Sequence, residues 1–248
     1  MCSVAMLFSL SMNISGVTAQ TEDFAALEQQ ATQALRAQAG SFPTLAALVA
    51  RLQTASERAP DTAQRGRLAL SWLRSMRALL ASIGFASSDD ERFRDWLQRH
   101  EAVVMYSEPA GQWLIIPDVL WRVHAAHKST PSAEAIAWLA VENGYPGECE
   151  GYIPCYANIM NWLDGEYLRR HPRGAQASDA VAQVHSSLAE ALKRLSTDAS
   201  PLRYLDPASD CGDLKSGLLP LRAAVLASNA AQRKEAAGVI DELLARCR

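Results

Sequence analysis

Cys149 and Cys155 lie six positions apart in Gly147-Glu148-Cys149-Glu150-Gly151-Tyr152-Ile153-Pro154-Cys155, among two glycines, a proline and two acids. Three chemistries use such a pair: a structural disulfide, a redox-active disulfide and a metal centre. Zinc would want further Cys or His ligands at short spacing, and the C-x2-C pairs of zinc ribbons are absent. A thioredoxin-like centre needs C-x-x-C ahead of a helix in a βαβ context, which is also absent. Pro154 and Cys155 fall at a helix start, where the dipole lowers a thiol pKa, so a labile bond stands as the alternative to a structural one.

Other residues could carry chemistry. The acids Glu142, Glu148, Glu150, Asp164 and Glu166 surround the loop, and paired carboxylates do acid–base work where burial separates their pKa values. His124 and His127 are one helical turn apart and could offer two imidazoles to a transition metal. They lack the H-E-x-x-H form that sets a base beside the metal, and histidines are favoured near helix C-termini in any case. Trp113, Trp121, Trp138 and Trp162, four of the six tryptophans, share one span with Tyr145, Tyr152 and Tyr156. An aromatic groove suits carbohydrate or peptide recognition, and Trp121 and Trp138 are the least core-like by periodicity. There is no G-x-S-x-G elbow, P-loop or dinucleotide fingerprint. No residue is therefore assigned a catalytic or metal-binding role, and no cofactor is implied. The possible functional patch is Glu142, Glu148 and Glu150 with Trp121 and Trp138.

The compartment bears on the cysteines. Residues 1–19 hold no charged side chain, carry the apolar run Met6–Met12, and end in Val17-Thr18-Ala19, the layout of a secretory signal cleaved near Ala19. Loss of that segment removes Cys2 and leaves Cys149, Cys155, Cys211 and Cys247, an even set in an oxidising compartment. Chain layout favours 149–155 with 211–247 among the three pairings. The expectation is a periplasmic or secreted protein. A formal charge of −3 gives no case for nucleic acid, and no later segment is apolar for long enough to span a bilayer.

Leucine and alanine recur at helical spacing almost throughout the 248 residues. Helices are expected after Thr21, Pro43, Asp61 and the Ser88-Asp89-Asp90-Glu91 capping box, paired as two antiparallel hairpins. The pattern breaks over 102–116, where Val103–Tyr106 and Trp113–Ile116 flank Glu108-Pro109-Ala110-Gly111. That predicts a small β-hairpin. Helices resume after Pro117, Pro131 and Pro154 and over 175–195. Two more are expected at about 213–228 and 231–247, with Cys211 just before the first and Pro220 kinking it or marking its start.

Glu166-Tyr167-Leu168-Arg169-Arg170-His171-Pro172-Arg173-Gly174, followed by Ala175, Ala177 and Ala180, resembles the junction between tetratricopeptide-type helical hairpins of exported bacterial proteins. There an aromatic or Leu residue, a basic residue and a Pro end one helix, and spaced alanines let the next pack closely. The resemblance covers some forty residues, without a second copy at a ~34-residue period. It implies a helical interaction surface and no catalytic residues.

The chain thus reads as all-α, built of stacked antiparallel helical hairpins, TPR-like in part. Residues 1–19 form a cleaved signal, 20–197 a helical domain with the hairpin inserted, and 198–248 a C-terminal helical hairpin packed on it. The expected function is an exported binding or scaffold module with a protein or peptide partner in the cell envelope. The alternatives are an envelope hydrolase using carboxylates near the Cys149–Cys155 loop, or a redox-active disulfide protein.

Overall fold

The computed structural model describes residues 23–37, 41–84, 90–195 and 210–247. The expected signal, the Thr21 cap, Ser88 and Asp89 of the capping box, and most of the 198–210 boundary lie outside these residues. The fold is all-α with one small antiparallel sheet.

Helix α1 (Phe24–Ala37) is capped by Asp23, whose carboxylate accepts from the amides of Ala25 and Ala26. Pro43 stands in the first turn of α2 (Phe42–Arg58), where its missing N–H costs nothing. Asp61 caps α3 (Thr62–Ile83) through a 2.6 Å bond from the Gln64 amide. The short Ala59–Asp61 connection makes α2 and α3 a hairpin around Leu48, Leu52, Leu68, Leu73 and Met76. The expected pairing of these helices shifts by one: α1 lies mainly on α3, and α4 (Arg94–Arg99) is a six-residue piece. Phe93 and Trp96 reach back from it to Phe42, with ring centroids 4.7 and 5.8 Å away.

Strands β1 (Val104–Ser107) and β2 (Gln112–Ile115) pair with Val104 opposite Ile115 and Ser107 opposite Gln112. The hairpin would be marginal alone. It packs on α3, and Asn143 closes its outer edge: the Asn143 amide donates to the Ile115 carbonyl at 2.9 Å and accepts from the Ile115 amide at 3.3 Å. An edge that would otherwise present bare backbone is thereby satisfied.

Asn143 ends α6 (Ala133–Asn143), which packs beside α5 (Pro117–Ala126). After the cysteine loop come α7 (Ile153–Met160), a π-helical turn (Asn161–Gly165) and α8 (Glu166–Arg170), followed by α9 (Ala177–Leu195). Ala177 and Ala180 are fully buried, whereas Ala175 is exposed.

The C-terminal pair is α10 (Asp210–Ala227) and α11 (Arg233–Ala245), tied by the Arg222–Asp241 ion pair at 2.6 Å. Helix α10 begins earlier than its periodicity suggested. Cys211 therefore lies in its first turn, and the helix runs on through Pro220. It presses so closely on α7 that a Cβ at Gly217 would stand 2.9 Å from Ala157 and Asn158 backbone atoms. Glycine is the residue that permits this approach. One continuous core reaches from Leu27 to Leu243.

Candidate functional site

Two concavities include residues of the sequence patch: a wide, open depression of about 490 Å³ at Trp121, and a more enclosed groove of about 310 Å³ between α3, α6 and the turn into α9. Helix α6 supplies Glu134, Trp138 and Glu142, which fall one turn apart and so share one face. Arg74 of α3 and Gln176 of the turn complete the walls. Trp138 and Glu142 of the patch thus come together. Trp121, Glu148 and Glu150 do not line this groove.

A hydrogen-bonded hub fixes the groove's rim. Tyr167 is fully buried, and its hydroxyl donates to Glu134 Oε1 at 3.0 Å while accepting from the Gln176 amide at 3.1 Å. The same Glu134 oxygen accepts from the Ala175 amide. Burial, with the Glu134 carboxylate beside it, pushes the Tyr167 phenol well up, so it stays a donor. Gly174 is required here, since a Cβ would come 2.8 Å from Glu134 Oε1 and closer still to the Tyr167 hydroxyl. The glycine of the His-Pro-Arg-Gly run therefore serves side-chain packing against the hub.

Trp138 packs edge-on against Tyr167 at 5.3 Å, which holds the half-buried indole in place. At the far end of α6, Arg77 donates to Glu142 Oε2 at 2.8 Å and to the Glu142 carbonyl at 3.3 Å. Among the described residues Arg74 has neither an ion pair nor a hydrogen-bond acceptor, and its side chain is exposed.

The histidines are arranged differently from the sequence expectation. His124 meets His171, not His127, with the two Nε2 atoms 3.0 Å apart. Arg170 can only donate, so His124 Nδ1 accepts from it at 3.2 Å. In the neutral ring the hydrogen then sits on Nε2 and points at His171. The ring's one lone pair, on Nδ1, is then occupied by the Arg170 donor. Burial, then Arg170 and His171, lower His124 to about 4, and burial also lowers His171 against the pull of Glu134. Both rings are neutral at pH 7. His127 ends α5 on its own, its pKa lowered by burial and by Arg65.

Trp121 is a core residue, although its periodicity suggested otherwise. It is buried with its ring 6.1 Å from His124, and Arg170 lies over it at 5.2 Å. Only its margin reaches a shallow depression shared with Asp118 and Arg122. Rings run without a break from Trp121 through His124, His171 and Tyr167 to Trp138. Sequence reading missed Tyr167, His171, Glu134, Arg74 and Gln176. Of these only Glu134 had a signal in the sequence, its four-residue spacing from Trp138 and Glu142 on one helix.

Both cysteine pairs are joined, Cys149 to Cys155 at an S–S distance of 2.07 Å and Cys211 to Cys247 at 1.93 Å. The first loop turns through Glu150 at φ 43° and Gly151 at φ 85°, the left-handed region that favours glycine at the second position. Tyr152 donates to Asp210 at 3.0 Å, tying this loop to the turn that carries Cys211. Glu148 and Glu150 are exposed. Glu166 is held by Arg169 and Arg170, which outweigh its burial and lower its pKa. Asp164 alone of the acid set is buried. Burial raises it to about 7, and its Oδ1 has no hydrogen-bond partner among the described residues. The five carboxylates therefore share no common cleft.

These features define an all-α protein with a polar, aromatic-walled groove and two disulfides. Neither a protein-family model, nor a curated protein, nor a solved structure matches this chain. Among the described residues no helix is long and apolar enough to cross a membrane, and no group of three or more metal-ligating side chains is assembled.

Proposed function

We propose that this protein is a binding module of an oxidising compartment, the cell envelope or the medium outside it, and that its α3–α6 groove holds a peptide segment of a partner. The observation that carries this reading is Trp138. It is a large, half-exposed indole fixed by Tyr167 in the wall of a concave site, with polar groups on either side. Aromatic anchors in concave sites dominate recognition surfaces because they bury much area at small conformational cost. A groove of 310 Å³ is at the small end of ligand sites, which run from about 300 to 1,000 Å³. It suits a few residues of chain. The two disulfides support the compartment, since such bonds persist where conditions are oxidising.

The test is selection of random tetrapeptides on beads with the labelled protein. The wild type should enrich a consensus, and Trp138→Leu, which keeps an apolar contact for Tyr167, should lose that enrichment at least tenfold, a loss of about 1.4 kcal/mol. A variant that selects the same consensus as strongly as wild type would place binding elsewhere.

A further inference from the structure

The charges lining the groove are not equally committed. Glu142 is taken by Arg77 through both its carboxylate and its carbonyl. Glu134 is taken by the Tyr167 hydroxyl and the Ala175 amide. Both acids that face the groove are thus bound to protein donors. Arg74, exposed on the opposite wall, has no such partner among the described residues. Glu134 keeps its charge, since both of its donors are neutral. Arg74 is the lining cation without a partner among the described residues, in the same groove as the indole braced by Tyr167.

We propose that Arg74 captures the C-terminal carboxylate of a peptide whose last side chain rests on Trp138. This deepens the reading above and rests on it. A guanidinium presents a planar fork that matches a carboxylate bidentately, and the pair gains strength from charge assistance. The indole in the wall formed by α6 supplies apolar surface for the adjoining side chain. The small volume favours the end of a chain over one that runs through. Strand addition is disfavoured too, because the walls are helices and a turn. The described sheet lies elsewhere, with Asn143 closing its β2 edge. The Glu134–Tyr167–Gln176 hub serves in a positioning role by holding the rim at the width the groove shows.

Two bead libraries of random tetrapeptides test this, both anchored through the N-terminus, one ending in a free carboxylate and the other in a primary amide. Capture of labelled wild-type protein should be about tenfold stronger on the free-acid beads, since a charge-assisted bidentate pair is stronger than the neutral hydrogen bond an amide offers. Arg74→Gln should bring free-acid capture down to the amide level, and Arg74→Lys should keep part of the difference. Arg74 is exposed, and unchanged thermal melts will show that these variants fold. Trp138→Leu should weaken capture on both libraries. Equal capture of both libraries by the wild type overturns the carboxylate assignment. If Trp138→Leu still weakens capture in that case, the groove itself survives as the site. Amide beads that capture as well as free acids only when they contain Asp or Glu overturn the C-terminal assignment. Failure of both libraries to capture the wild type sinks the groove reading along with this one.

Discussion

Two buried residues, His124 and Asp164, and the half-buried His171 give the protein a pH profile whose signs can be worked out one by one. His124 and His171 sit below their ordinary value of 6.5, His124 at about 4. As pH falls below about 6.5 the unfolded chain takes up protons before the folded one, so their contribution is present above that pH and lost toward 4. His171→Gln keeps an acceptor for the His124 N–H and removes one of the two titrating rings. Thermal melts at pH 7, 5.5 and 4.5 should show a shallower acid loss in this variant, and an unchanged acid limb would contradict the account. Asp164 has the opposite sign. Its folded value of about 7 lies above the ordinary 3.8, so the folded state keeps a proton the unfolded chain has shed. That contribution is present below about 4 and disappears as pH rises through 7. Asp164→Asn should therefore melt above wild type at pH 8, on the order of a few kcal/mol more stable, with the gain shrinking toward pH 4. A gain that does not vary with pH would argue against a buried, titrating acid. The sequence showed Asp164 and His124 as candidates. It could not show that one is buried without a partner and that the other meets a histidine 47 positions away.

At the scale of elements, what was legible was what local chemistry decides. Pro43, Asp61 and Pro117 each start a helix, and the hairpin's two runs are joined where Glu108-Pro109-Ala110-Gly111 turns. Helix partners were harder, because apolar stripes say which face is buried and not against what. The placement of α10 on α7 depends on Gly217, and the groove rim on Gly174, which sequence pattern alone reads as ordinary turn or helix glycines. Both can be tested. Gly217→Ala sets a Cβ against backbone that cannot swing aside and should cost about 1–3 kcal/mol in a denaturant melt. Gly174→Ala meets side-chain oxygens, so it should cost less stability but should loosen the Tyr167–Glu134 hub and weaken peptide capture. If Gly174→Ala leaves capture intact, the hub does not set the groove.

Across the whole molecule, the two disulfides are unequal staples. The Cys211–Cys247 bond spans a separation of 36 residues and Cys149–Cys155 only six. Chain-entropy reasoning gives about 3.8 kcal/mol for the long loop and about 2.4 for the short one. Replacing Cys211 and Cys247 by Ser should lower the denaturation midpoint more than the same change at Cys149 and Cys155, and the reverse order would contradict this assignment. The pairing was legible because chain layout left few options. The groove was not, since its walls come from α3, α6 and the α8–α9 turn, far apart in sequence. The most direct test of the central claim is the indole N–H region of the protein's NMR spectrum, followed while the selected free-acid tetrapeptide is added. The account predicts that the Trp138 resonance moves most, while those of Trp72 and Trp113 stay in place. A titration that moves another indole and leaves Trp138 unchanged would contradict it.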